Sequence, residues 1–236
     1  MVKRILRQLR VVFIHFRSLY VKNIKTIKSV IIAPHPDDEA IGCAGLIRQL
    51  LEAGKKVDVV YMTGGGRSLS EIDSEVIIKE RRKLACNAAE ILGIARSNLH
   101  FLDYPDGGIA FDCHETERLK ALLGELKPDA VFIPHKGEGW SDHVEASNIV
   151  KSLLKDNESV EIYEYCVWFW YYNVWNIDWK NARIVAMTKE QHKKKLQAMD
   201  AYIKPLAPCG KPWSGVLPKV FVWANRWNKE LYFKVK

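Results

Sequence analysis

The sequence predicts an α/β fold, a mostly parallel sheet covered by helices on both faces, and three observations carry that expectation. Short runs rich in Val and Ile alternate with longer runs of helical period. The short runs are continuously apolar, as strands buried on both faces are. The polar and glycine-rich stretches of the chain fall just after those short runs, where ligands collect in folds of this class.

Taken in order, residues 29–33 form a buried strand, followed by a helical stretch over about 39–53, a strand at 57–62 and a long helix over 74–92. A short strand at 99–102, a helix at 115–126 and a strand at 130–133, bounded by Pro128 and Pro134, come next. Another helix covers about 143–154. In the last third, 161–170 and 183–187 read as strands and 189–202 as a basic helix. Residues 168–179 are dense in aromatic rings, which serve core packing or a stacking surface for substrate. The segment with Pro205, Pro208, Pro212, Trp213 and Pro218 has no clear period. Without repeats or a low-complexity linker, the chain divides into an arm, residues 1–27, and one domain, residues 28–236.

Charge separates these two parts. The 236 residues carry 36 basic and 28 acidic side chains, and the first acidic one is Asp37. Eight cations, Lys3, Arg4, Arg7, Arg10, Arg17, Lys22, Lys25 and Lys28, precede it and account for the whole excess of +8. The rest of the chain is neutral, so the basic isoelectric point gives no reason to expect nucleic acid, which wants cations clustered on the folded surface. At 100° per residue Ile5, Leu9, Val12, Phe13, Phe16, Leu19 and Tyr20 fall on one side of an N-terminal amphipathic helix and Lys3, Arg4, Arg7, Arg10 and Arg17 on the other, with Val11 and Ile14 as exceptions. Two readings stand: peripheral contact with an anionic membrane through residues 1–24, or packing on the domain with a solvated charged face. The apolar run 11–16 is too short for a secretory signal or a membrane span. Five scattered cysteines without a CxxC pair indicate reduced thiols and a cytoplasmic protein.

Four loops converge on one sheet edge: residues 34–39, 63–67, 103–108 and 135–143. In the first, His35-Pro36-Asp37-Asp38-Glu39 suits neither strand nor helix interior. His35 and Asp38, three apart in a turn entering a helix, can face one point, with Asp37 between them free to act as a base. A catalytic zinc site needs about three protein ligands and an open position. His143 is the best third donor, and Asp142 can orient a neighbouring imidazole. A turn that merely caps a helix would explain one carboxylate and leave His35 without a role. The Gly64-Gly65-Gly66 run lacks the Lys-Ser/Thr ending of a phosphate loop and the spacing of a dinucleotide fingerprint.

The stretch from Ala33 to Glu39 after an apolar strand, with Asp142-His143 later, resembles the LmbE-like family of N-acetylglucosaminyl deacetylases, which includes the PIG-L enzymes. The likeness runs from about Val30 to Ala146 and takes in Thr63-Gly64, Glu80-Arg81-Arg82, Leu92-Gly93 and Tyr104-Pro105-Asp106-Gly107. It implies a Rossmann-like three-layer sandwich and a zinc ion, with Fe2+ as another divalent metal that suits such sites. It further implies hydrolysis of the acetamide of an amino sugar, whether small, nucleotide-linked or lipid-linked. By motif position His35, Asp38 and His143 would be ligands and Asp37 the general base. Arg67, Arg81, Asp106 and Trp140 are the expected substrate contacts.

One departure matters. The family commonly has a histidine three residues before the last ligand, stabilising the oxyanion and held by the intervening Asp; here that position is Trp140. An indole donates one hydrogen bond and carries no charge. Three outcomes follow: His135 substitutes, an arginine such as Arg67 does, or catalysis is weak and the protein is a metal-retaining glycan binder. Oligomerisation is left open by the sequence.

Overall fold

The computed structural model describes residues 2–17, 22–24, 28–172 and 177–235. Among them, one eight-stranded sheet runs through the molecule. Its strands are β1 (Lys22–Asn23), β2 (Lys28–Ala33), β3 (Lys56–Thr63), β4 (Leu99–Tyr104), β5 (Ala130–Pro134), β6 (Glu161–Tyr165), β7 (Ala182–Ala186) and β8 (Lys229–Lys234). They lie in the order β1-β7-β8-β6-β5-β2-β3-β4, and only the pairings of β8 are antiparallel. The expected mostly parallel three-layer sandwich is the observed fold.

Alternation along β2 explains the two layers. Ile31 and Ala33 point into a cluster with α2 (Asp38–Gly42), α3 (Ala44–Glu52), α4 (Ser74–Leu92) and α8 (Lys189–Ile203), whereas Val30 and Ile32 face α5 (His114–Leu126) and α6 (Ser141–Leu153). From β2 the chain winds outward through β3 and β4, then returns to place β5 on the other side of β2. The strand order therefore reverses between β2 and β5, and a crevice opens at their carboxyl ends.

Differences from expectation concentrate in the last third. The helical stretch after β2 breaks at Cys43 into α2 and α3. The strand expected over 161–170 stops at Tyr165, and Phe169–Tyr172 turns into a short helix, α7. The unpatterned segment yields α9 (Lys219–Asn225), followed by β8. Asn173 to Asn176, in the aromatic stretch, lie outside the described residues. All five cysteines are free thiols.

One buried ion pair ties this last third to the site's own helices. Lys195 on α8 donates to Glu230 Oε1 on β8 at 2.8 Å and to Ile41 O on α2 at 2.9 Å. Glu230 also accepts the backbone N–H groups of Gly45 and Leu46, two donors left over at the start of α3. Removing one partner strands the other charge in the core. Glu230→Gln is expected to lower stability by about 3–5 kcal/mol, read as a drop in the urea midpoint. Combining it with Lys195→Met should cost less than the sum of the two single changes.

Candidate metal centre and active site

The site grows from the turn between β2 and α2. Pro34 O accepts the backbone N–H and the hydroxyl of Thr63 at the end of β3, both at 2.9 Å, so the turn is pinned to its neighbour strand. Asp37 then takes φ 133°, in the region that favours glycine. Two groups hold this conformation. Glu39 Oε2 accepts the Asp37 N–H at 3.2 Å, with Tyr202 donating to Glu39 Oε1 at 2.7 Å. The buried Arg81 on α4 donates to Pro36 O and to Gly65 O, and its Nη2 lies 3.2 Å from Asp37 Oδ2. Gly65 has φ 65°, and a Cβ there would stand 2.2 Å from the Arg81 guanidinium. The glycine run of the second loop thus makes room for an arginine.

Asp38 lies at the centre of two imidazoles. Its Oδ2 accepts the backbone N–H of His35 at 2.9 Å and faces His35 Nδ1 at 3.5 Å and His143 Nε2 at 3.4 Å. The other nitrogen of each ring meets a second carboxylate. His35 Nε2 lies 3.1 Å from Asp142 Oδ2 and 3.2 Å from Asp106 Oδ1, and His143 Nδ1 lies 3.4 Å from Glu138 Oε2. An imidazole with one nitrogen at a shared point and the other against a carboxylate is the arrangement of a metal-ligating histidine and its outer partner. The ligand-capable atoms of His35, Asp38 and His143 lie within 4.8 Å of one another, as do those of His35, Asp106 and Asp142. The donor set of imidazole nitrogens and carboxylate oxygens suits a divalent cation such as zinc or Fe2+.

Electrostatics agree with this reading. Asp37, Asp38, Glu39, Glu138 and Asp142 are all buried within one crevice, and Arg81 is the buried guanidinium among them. Burial, with the Asp38 charge adding to it and Arg81 opposing it, pushes Asp37 up to about 7. Burial disfavours the charge on His35, yet Asp106, Asp142 and Asp38 together hold it well above the usual histidine range. Asp106 resists its own burial through His35 and sits at about 2.

The structure brings most of the expected residues to one cavity of about 560 Å³, including His35, Asp37, Asp38, Asp142 and His143. Arg67 and Trp140 lie at its wall, the latter half-exposed with its ring 5.5 Å from that of Trp168. Arg81, expected at the substrate, lines the same cavity but is buried, with bonds to Asp37, Pro36 O and Gly65 O. His135, expected as a substitute for the missing imidazole, is not among the residues that line the cavity. Its ring is packed on Phe169 at 4.8 Å and Phe233 at 4.9 Å, and its Nε2 lies 3.5 Å from Glu164. Asp142, without an imidazole at position 140 to hold, contacts His35 and accepts the N–H groups of Gly107 and Ile109.

Sequence reasoning missed Glu138. It stands between glycines in Lys136-Gly137-Glu138-Gly139, a pattern that reads as a solvated turn, but it is fully buried. Besides facing His143, it accepts the N–H groups of Val167, Trp168 and Phe169, and so fixes the aromatic wall of the cavity. Leu217 and Phe221, from the segment without a period, complete that wall.

Comparison with known proteins follows the same residues. The PIG-L family model, described as GlcNAc-PI de-N-acetylase, matches residues 30–154. Diacetylchitobiose deacetylase of Thermococcus kodakarensis is 32% identical over 123 residues, which is 49% of this chain and 45% of that protein. The chain spans about half the length of the curated relatives it matches. The solved structure of N,N'-diacetylchitobiose deacetylase from Pyrococcus horikoshii, complexed with its inhibitor MPG, superposes with a TM-score of 0.63 at 22% identity, covering 78% of this chain and 73% of that one. GalB, the 4-carboxy-2-hydroxymuconate hydratase of Pseudomonas putida, has the same fold at a TM-score of 0.61 and 19% identity, covering 89% and 96%.

The two overlapping donor sets make different predictions. Binding at His35, Asp38 and His143 means that His143→Ala removes stoichiometric metal, measured by elemental analysis, whereas Asp106→Asn leaves it in place. Glu138→Gln should weaken the affinity about 10–100-fold, as loss of an outer carboxylate does. Loss of metal in Asp106→Asn with retention in His143→Ala would assign the cation to the other set.

Proposed function

The chain belongs to the PIG-L family, and from that premise we propose that it is a metal-dependent hydrolase removing the acetyl group from an N-acetylated amino sugar of the N-acetylglucosamine type. The observation that carries this reading is the placement of Asp37. Its carboxyl is buried, gripped by Arg81, and lies directly beside the set formed by His35, Asp38 and His143. A divalent cation held by that set supplies a Lewis acid for the acetamide carbonyl and for the attacking water.

Asp37 is the proton carrier. It takes a proton from the water whose oxygen attacks the acetamide carbon, then gives it to the amide nitrogen as the C–N bond breaks. The products are acetate and a free amine. Burial raises the Asp37 carboxyl above the usual carboxylate range, which favours its taking up the proton of the water. Arg67 lies on the cavity wall, where its position is held by a bond from its backbone N–H to Asp106 Oδ2 at 2.7 Å. In this reading it stabilises the oxyanion, since Arg67 lines the cavity and His135 does not. Trp140 and Trp168 offer ring faces for the sugar. The diacetylchitobiose deacetylase of Thermococcus kodakarensis, to which the chain is similar, supports the substrate class.

A second reading is favoured by one observation, the indole at position 140. In it the protein binds the glycan and metal but hydrolyses little. Acetate release from N,N'-diacetylchitobiose separates the two. The enzyme reading expects turnover that Asp37→Asn lowers by about 10²–10⁴-fold with metal content unchanged; equal release by both proteins sinks it. Binding of the sugar without turnover, together with activity created by Trp140→His, would establish the second.

A further inference from the structure

The N-terminal helix is docked with its polarity reversed. In α1 (Val2–Arg17) the buried Arg10 donates to Phe169 O at 3.1 Å and to Trp170 O on α7, and Arg7 donates to Tyr171 O at 3.1 Å with its guanidinium 4.0 Å from that ring. Val11 and Ile14, the exceptions to the sequence split, are fully buried against Phe169, Trp170 and Ala224. The apolar face is turned outward. Ile5, Leu6, Leu9, Val12, Phe13 and Phe16 are each 48–64% exposed, and none of the described residues covers them. Leu19 and Tyr20, expected on the same face, lie outside the described residues.

We propose that this outward face is a membrane-docking surface, with α1 lying in the plane of an anionic bilayer and its apolar side chains in the interfacial layer. Six large hydrophobic side chains on one exposed stripe exceed the scattered apolar residues of an ordinary surface. The occupant follows from charge. Of the cations on α1, Arg7 and Arg10 are spent on α7, while Lys3 and Arg17 near its two ends are exposed, and the helix carries no anion. Attraction of cations to acidic headgroups adds to apolar insertion. A second copy seated on the same face would bring two such segments together, while the 28 basic and 28 acidic residues after Lys28 offer no compensating charge. No described helix is long and apolar enough to cross a membrane.

The inward face of α1 packs on an element that also lines the cavity. α1 packs on α7 and α9, and α9 also supplies Phe221 to the cavity wall and the partly exposed Trp223. Val216, 73% exposed, extends the apolar rim beside the cavity. The inference rests on the contacts of α1 and stands apart from the deacetylase reading.

Sedimentation of the full chain with vesicles tests it, using phosphatidylcholine alone and phosphatidylcholine mixed with phosphatidylserine. The protein is expected to pellet with the mixed vesicles and less with the neutral ones. The triple variant Leu9→Ser, Phe13→Ser, Phe16→Ser should lose about tenfold or more in partitioning, with its melting temperature and its acetate release from diacetylchitobiose matching the parent. Equal partitioning of parent and variant, or a parent that stays in the supernatant with both vesicles, overturns the proposal. So does a dimer in light scattering that the variant converts to monomer without any vesicle binding, which would assign the face to a second copy.

Discussion

The site depends on one carboxylate facing two imidazoles. Asp38 Oδ2 faces a nitrogen of His35 and a nitrogen of His143, at 3.5 and 3.4 Å, while it accepts the backbone N–H of His35. Those two rings come from opposite sides of the strand-order reversal, one after β2 and one after β5. Each is steadied from behind by carboxylates on other loops, Asp106 and Asp142 for His35 and Glu138 for His143. Burying so many acids in one crevice is costly unless each finds a donor. The surrounding architecture supplies donors one by one: Arg81 to Asp37, Tyr202 to Glu39, Gly107 and Ile109 to Asp142, and three consecutive N–H groups to Glu138.

Glu138 extends that organisation outward. The same carboxylate that faces His143 also organises the start of the aromatic wall at Val167, Trp168 and Phe169. An imidazole of the candidate metal set and the aromatic wall of the cavity are thereby built on one side chain. The polypeptide leaves β6 at Tyr165 instead of continuing as a strand because its next N–H groups are claimed by this acid and not by a neighbouring strand. That is a physical reason for the aromatic run to read as strand and fold as loop and helix.

How much was legible in the sequence follows from the range of the forces involved. Strands covered on both faces must be apolar throughout, so β2, β3 and β5 are visible as runs, and α4 is visible over its full length from its own period. The turn from His35 to Glu39 is visible because its composition serves no local structure. Glu138, and the bonds by which Arg81 holds the turn, are not legible because their partners are set by distant chain crossings: Val167 to Phe169 for the first, Gly65 and Pro36 for the second. The amphipathic period of α1 was visible as well, but period alone does not say which face turns inward.

That inversion has an understandable cause. A short helix such as α7 ends in carbonyl groups that lack intrahelical partners, and arginines satisfy them better than leucines do. Arg10 and Arg7 reach the carbonyls of Phe169, Trp170 and Tyr171, and Val11 and Ile14 fill the apolar gaps between them. The apolar stripe is then left on the far side by geometry. A fold shared with a hydratase such as GalB does not fix chemistry. What individualises this chain is the combination of an Asp37 held in a strained turn, an indole at position 140, and a helix that turns its apolar side outward while its arginines bind the carbonyls of α7.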